Sequence, residues 1–495
     1  MNKLDNNRKL NYLHIAVIVI GAIFISLSIF HTNLWFDESY SVEIAKHSFS
    51  EIWSIGSNDV HPILYYFVLH IAGMITNYNI MALRVMSFIP LVILGILGYT
   101  HIKKDFGLKT GIIFSFLIFF LPVSAEYAGE IRMYSLGMLL GTIMAIYAYR
   151  LYKGQSNIKN FIIFGVSSLL VSYTHYYGLM LAGIINLLLF IYYLRNRKTK
   201  NIELRNFVIT AVVQILLYLP WIMSFLKQLQ GVSKGFWITL SFPETLIEIL
   251  NMQFVGSLGS TIGLIFALSM FAYITYIFFN NIRKSNEKID IKPAIICMGI
   301  YIFIILIALI ISLCMQSVIL LYRYLIIITG LFVFAIAFFM SKDNNKYRVI
   351  IVCSVIFVIS IISNIGLIQE NYDNRNNKHI EYMQENIQNS DIILYSDAIS
   401  GAVVSTYFNN QSYFYDKQHW NVEKAYQAFS NMKIIYDIEE LINNYEGRIW
   451  LVGEDTTSLC DEIIKMNDSC KLIYKQKYIT GYKNNVYTIA LIEVN

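Results

Sequence analysis

Eleven apolar runs dominate the chain, at approximately residues 12–30, 84–102, 110–123, 133–149, 160–176, 178–194, 207–223, 259–280, 293–314, 320–340 and 348–368. The first, from Tyr12 to Phe30, is about 19 residues or roughly 28 Å of helix, close to one hydrocarbon thickness. No small-residue cleavage site ends it, so it reads as an uncleaved span and not as a signal peptide. Hydrophobic residues are 56% of the 495 and charged residues only 14%, a balance that a water-soluble globule has trouble hiding. The expected fold class is a polytopic α-helical membrane protein of about eleven transmembrane helices.

The loops between the runs set the topology. "HIKKDFGLK", "RLYKGQSNIK", "RNRKTKNIELR", "NNIRKSNEKIDIK" and "SKDNNKYR" are short and rich in Lys and Arg. By the positive-inside rule all five are cytoplasmic, together with the N-terminus. "HPILYYFVLHIAGMI", residues 61–75, carries His61 and His70 and is short for a crossing. Counting it as a span would flip every later basic loop to the outside. It reads instead as a helix in or dipping into the outer interface, within a first external loop at 31–83. The other external pieces are then 124–132, a loop at 224–258, the "MQSV" link and everything after about Gln369.

That last piece is polar. "DIILYSD", "QSYFYD", "GRIWLVGED" and "NNVYTIALIEV" read as strands, and "VEKAYQAFSNM" and "DIEELINNY" as helices. The domain reading is a transmembrane module at 1–368 and a small extracytoplasmic α/β domain at 369–495. Cys460 and Cys470 both fall in it and are able to pair in an oxidising compartment; the other three cysteines lie in apolar runs.

A net charge of +5, with the basic residues in loop clusters, argues against a nucleic-acid partner. No Gly-rich phosphate loop, zinc spacing or nucleophile elbow is present, so a nucleotide-driven pump is unsupported. Charge instead gathers on the outer face. Asp37 and Glu38 in "HTNLWFDESYS" follow the first span directly, with Trp35 and Phe36 suited to the interfacial belt. An isolated Asp-Glu is an ordinary start for a helix such as "ESYSVEIAKHSF". Pinned at the interface, it is also placed to act on the polar head of a lipid substrate. Adjacent side chains diverge, so one carboxylate should be chemical and the other supporting.

"SAEYAGEIRMYS" puts Glu126, Glu130 and Arg132 in a second external cluster. Arg132 can snorkel from a polar turn, or bind a phosphate and keep a carboxylate charged. His175 in "YTHYYG" and Arg323 in "LYRY" stand near the outer ends of two further runs. A lone His is often a packing residue, but an Arg in an apolar stretch costs about 2.5–3.5 kcal/mol and calls for an anion or a polar cavity. His61 follows Asp59, and Arg84 opens the second run.

In order, "LWFDESYS", "DVHPILYYFVLH", "EIRMYSLGMLL", "YTHYYGLML" and "LYRYLIII" resemble the landmarks of bacterial C-type (GT-C) glycosyltransferases related to dolichyl-phosphate-mannose protein O-mannosyltransferases and the lipid A aminoarabinose transferase. The match covers about residues 1–340. The resemblance implies transfer of a sugar, with inversion, from a polyisoprenyl-phosphate donor to a glycan, lipid or protein acceptor on the outer membrane face. It implies Asp37 as catalytic base and Glu38 as a shaping residue. Glu130, Arg132 and Tyr134 match the second external motif, His175 the "TH" motif, and Arg323 an Arg associated with the lipid phosphate. Glu126 and His61 stand as supporting residues, and Arg84 as a further phosphate ligand. Ile63 departs from relatives that have a second Pro there.

Some C-type enzymes use a divalent ion, and Asp37 with Glu126 or Glu130 is the set that would hold one; the sequence leaves this open. Two rivals share the many spans. A polysaccharide polymerase would differ in its product, and a lipid-linked sugar flippase or transporter should carry charge near span midpoints instead of at one face.

Overall fold

The computed structural model describes residues 3–233, 245, 247–249, 251, 260–283, 289–315, 318–417, 426–467 and 469–494. All or part of the 224–258 loop, the "MQSV" link and the first half of "VEKAYQAFSNM" lie outside these residues. The chain forms two compact units, one of Met1–Phe30, Gly56–Tyr65 and Arg84–Gly366, the other of His31–Ile55, Tyr66–Leu83 and Leu367–Asn495. The first external loop thus contributes to both.

Every apolar run is mostly helical among the described residues. Among the described residues, eight helices are long and apolar enough to cross a membrane alone, and a ninth span is reached if the bent pair Leu108–Phe120 and Pro122–Gly129, turned by 60°, counts as one. Ile158–Thr174 is shorter, as is Leu64–Thr76, the segment read as interfacial. Central to the first unit is Ile326–Ser341, preceded by the 3-10 turn Tyr322–Leu325. It packs against Leu108–Phe120, Tyr134–Tyr152 and Lys292–Met315. Small residues allow the approach: a Cβ on Gly330 would run into the Thr142 side chain. Without a hydrophobic drive between helices in lipid, such close van der Waals contact is what holds a bundle together.

In the second unit the polar tail folds on a six-stranded mixed sheet of order β3-β2-β1-β4-β6-β5. The strands are β1 (Ile392–Tyr395), β2 (Ser412–Tyr415), β3 (Met432–Ile435), β4 (Gly447–Gly453), β5 (Cys470–Ile479) and β6 (Val486–Val494). β1 to β4 pair in parallel, and β6 runs antiparallel to both β4 and β5. β1 is buried along its whole length, as suits a central parallel strand. Ile392, Leu394, Ile449, Leu451 and Ile492 form the core on one face with Leu459 and Ile463 of the helix Thr457–Met466. Cys460 and Cys470 are both buried with free thiols.

Candidate active site

The "FDESY" stretch begins the helix Phe36–Ala45, with both acids in its first turn, where unsatisfied backbone N–H groups and the helix dipole favour negative charge. The two carboxylates have different surroundings. Glu38 is fully buried, and its Oε2 accepts from the Tyr482 hydroxyl at 3.1 Å and from the Trp35 backbone N–H at 3.4 Å. Tyr482 is fixed in turn: its N–H donates to Asn376 Oδ1 at 2.8 Å, and its ring lies 5.5 Å from that of His31. Asp37 is only half-buried. Divergence of adjacent helical positions leaves Glu38 in the protein's interior and Asp37 toward its surface.

The remaining candidates belong to the first unit. His61 lies ahead of the helix Leu64–Thr76, and Pro62 is two residues short of the first helical position. His175 is the single residue between Ile158–Thr174 and Tyr176–Arg195; its Nδ1 caps the second helix by accepting from the Tyr177 N–H at 3.1 Å. The two imidazoles sit 5.3 Å apart, and the Tyr324 ring lies 4.8 Å from His175 and 5.8 Å from His61. Tyr134 approaches from the start of Tyr134–Tyr152, 6.2 Å from His175.

Two cations complete this cluster. Buried Arg132 and half-buried Arg323 both act electrostatically on the two histidines. Burial, then Arg132, His175 and Arg323, hold the His61 imidazole well below its ordinary range, so it is neutral. His175 Nε2 and the Tyr134 hydroxyl are buried without a hydrogen-bond partner among the described residues. Buried polar groups are normally satisfied, so this pair stands out beside two guanidinium groups that act on the same histidines.

Arg84 is fully buried, and its Nη1 donates to the Gly129 carbonyl at 2.6 Å, which anchors the end of the short helix Pro122–Gly129. Glu126 is on that helix and Glu130 is its C-cap; both are half-buried. The region read as a polar turn is therefore a helix with Pro122 at its start, a favoured position for proline. Among the described residues no group of three or more His, Cys, Asp or Glu is placed to hold a metal ion.

Tyr324, beside both imidazoles, and Tyr482, bonded to Glu38, carry no mark of these contacts in the sequence analysis above. "LYRY" contained the signal for Tyr324, beside the Arg it highlighted; Tyr482 is 444 positions from Glu38 and had none.

Among solved structures, ArnT from Cupriavidus metallidurans bound to undecaprenyl phosphate aligns over 97% of this chain and 97% of its own, with a TM-score of 0.60 at 11% identity. The chain has the GT-C glycosyltransferase fold. The apo form of the same ArnT aligns over 97% of both chains, with a TM-score of 0.49 and 9% identity. An Archaeoglobus fulgidus oligosaccharyltransferase in complex with zinc and sulfate aligns over 88% of this chain and 67% of its own, at 0.39 and 10%. No protein-family profile matches the chain, and no curated protein does.

Proposed function

We propose that this chain is an integral membrane glycosyltransferase that moves a sugar, with inversion, from a polyisoprenyl-phosphate donor to an acceptor on the outer face of a bacterial cytoplasmic membrane. The observation that carries the reading is the cluster of His61, His175, Tyr134 and Tyr324 with Arg132 and Arg323 acting on its histidines, on a chain with the fold of an ArnT whose structure holds undecaprenyl phosphate. Arg132 and Arg323 take the donor phosphate through charge-assisted hydrogen bonds, and neutral His61 adds no competing charge. Arg84 acts on the same loop by holding Gly129.

Asp37 is the general base. Its carboxylate takes the proton of the acceptor hydroxyl as that oxygen bonds to the anomeric carbon, and the bond from that carbon to the phosphate oxygen breaks with its electron pair leaving on the phosphate. The arginines stabilise the charge that develops there. Glu38 holds the first turn in place through Tyr482 and the Trp35 N–H. The donor's own phosphate bond supplies the driving force, which accounts for the missing nucleotide motifs. The N-terminus and the basic loops are cytoplasmic, and the C-terminal domain is outside.

The test is incubation of the purified protein with a panel of polyprenyl-phosphate sugars, reading transfer or slow hydrolysis of the sugar–phosphate bond. Turnover of at least one donor supports the reading. Failure to bind or turn over any of them, in folded protein, removes it.

A further inference from the structure

Away from the cluster just described, the helices Ile158–Thr174, Tyr176–Arg195 and Asn201–Ser233 enclose a cavity of about 390 Å³, within the size range of small-molecule sites. Its wall is mostly aliphatic, and no charged side chain lines it among the described residues. Five polar side chains interrupt that wall: Ser168, Ser172, Asn186, Gln214 and Tyr218.

Asn186 is the eleventh of twenty residues in its helix, about 15 Å from the first, which puts it near the middle of a span. Its amide nitrogen donates to the Ala182 carbonyl at 2.9 Å, to Ser168 Oγ at 3.1 Å and to Gln214 Oε1 at 3.3 Å. Three polar atoms are then left over. Asn186 Oδ1, Gln214 Nε2 and the Tyr218 hydroxyl are buried without a partner among the described residues. Inverting both amides exchanges which end is spare and leaves the same number unpaired.

Polar side chains at this depth are expensive, and each unpaired one costs about 1–3 kcal/mol more. Leucine at Asn186 and Gln214 would avoid both costs. A helix-to-helix clasp accounts for the one hydrogen bond they share, but not for the spare acceptor, the spare donor and the phenol gathered on one cavity. Terminal amide torsions are broad, so these groups can turn to meet a ligand. The set asks for a group that both donates and accepts, and the lack of a cation argues against an anionic headgroup. Access is from the bilayer, because Ile215 and Leu219 on the cavity wall are 61% and 49% exposed on the apolar surface.

We propose that this intramembrane cavity binds an uncharged hydrogen-bonding group, a secondary amide or a hydroxyl, carried on the apolar chain of a membrane amphiphile. The site is separate from the donor-phosphate cluster and does not depend on the glycosyl-transfer reading.

The experiment uses the full chain in nanodiscs and three diazirine-labelled sixteen-carbon probes that differ only in a polar group: a secondary amide, a primary alcohol and a methyl ester. The ester accepts but does not donate. Photolabelling should map to residues 168–222, with the amide or the alcohol labelling about tenfold more than the ester, since losing one buried partner is worth about 1.4 kcal/mol; which of the two prevails distinguishes the sources. Asn186→Leu/Gln214→Leu should abolish the preference without lowering thermal stability, and Tyr218→Phe should reduce it. Equal labelling by all three probes would show a greasy or water-filled cleft and overturn the proposal. So would a double variant that melts earlier while wild-type protein shows no preference, the signature of a structural clasp.

Discussion

Asp37 and Glu38 are neighbours in sequence with opposite surroundings, so their amide variants should separate catalysis from stability. Asp37 is half-buried in the first turn of Phe36–Ala45, where a negative charge at the helix N-terminus is one contribution to folding. Removing that charge costs about 0.3–1 kcal/mol. Glu38 is fully buried and accepts from Tyr482 and the Trp35 N–H; disturbing that buried acceptor costs about 1–3 kcal/mol. Asp37→Asn should therefore be the more stable variant. Its turnover should nevertheless fall roughly 100- to 10,000-fold, the usual share of a general base, with donor affinity largely kept. Glu38→Gln should melt earlier yet retain more activity. Thermal unfolding of detergent-solubilised protein, single-turnover transfer and donor titration read the three quantities. Near-normal turnover in well-folded Asp37→Asn would refute the reasoning, and so would a Glu38→Gln variant as inactive as Asp37→Asn but unchanged in stability.

Arg323→Ala should fold normally, bind donor far more weakly and be nearly inactive, while Arg323→Lys, which keeps the charge without the planar fork, should be partly active. Thermal stability and donor dissociation constant measured together check this; a stable alanine variant with unchanged donor affinity and turnover would sink the role. His379, in the helix Lys378–Asn386, stacks on Tyr487 at 4.2 Å, and burial lowers its pKa from 6.5 to about 4. The unfolded chain binds that proton first, so the contribution is fully present above pH 6.5 and is lost as pH falls toward 4, by about 3 kcal/mol in all. In acid–base denaturation scans His379→Phe should lack this component; identical pH profiles for variant and wild type would contradict it. Cysteines placed near Asn58, Gly129 and Asn410 should react with impermeant reagents from outside, and those near Lys104 and Lys198 should not. Inverted labelling at Gly129 and Lys198 would overturn the topology.

The apolar runs were legible because a lipid-facing helix needs no periodicity to be recognised, only length. Their ends were less so: the run at 207–223 sits inside the helix Asn201–Ser233, whose polar first and last turns carry no hydropathy signal. β1, β2, β4 and β6 were read from their apolar cores. β5, "CKLIYKQKYI", was hidden by its lysines, which suit an exposed edge strand that must discourage pairing. β3 begins at Met432, the last residue of the stretch "VEKAYQAFSNM" that reads as a helix. The external link at 124–132 gave no sign of a helix because its acids masked the short helix that starts at Pro122, inside the preceding apolar run. In the candidate site, the charged residues announced themselves by their cost in an apolar setting. Their neutral partners did not. Tyr324 beside His175, and Tyr482 on Glu38, are contacts between distant parts of the chain that no local pattern encodes.

The central claim is that a polyprenyl-phosphate sugar is the donor, and direct binding is its sharpest test. Titrating the purified protein with a polyprenyl phosphate, and with the matching polyprenyl alcohol as control, isolates the phosphate's contribution. The account predicts tight binding of the phosphate, much weaker binding of the alcohol, and loss of that difference in Arg323→Ala. Equal affinity for phosphate and alcohol, unchanged by the substitution, would contradict it.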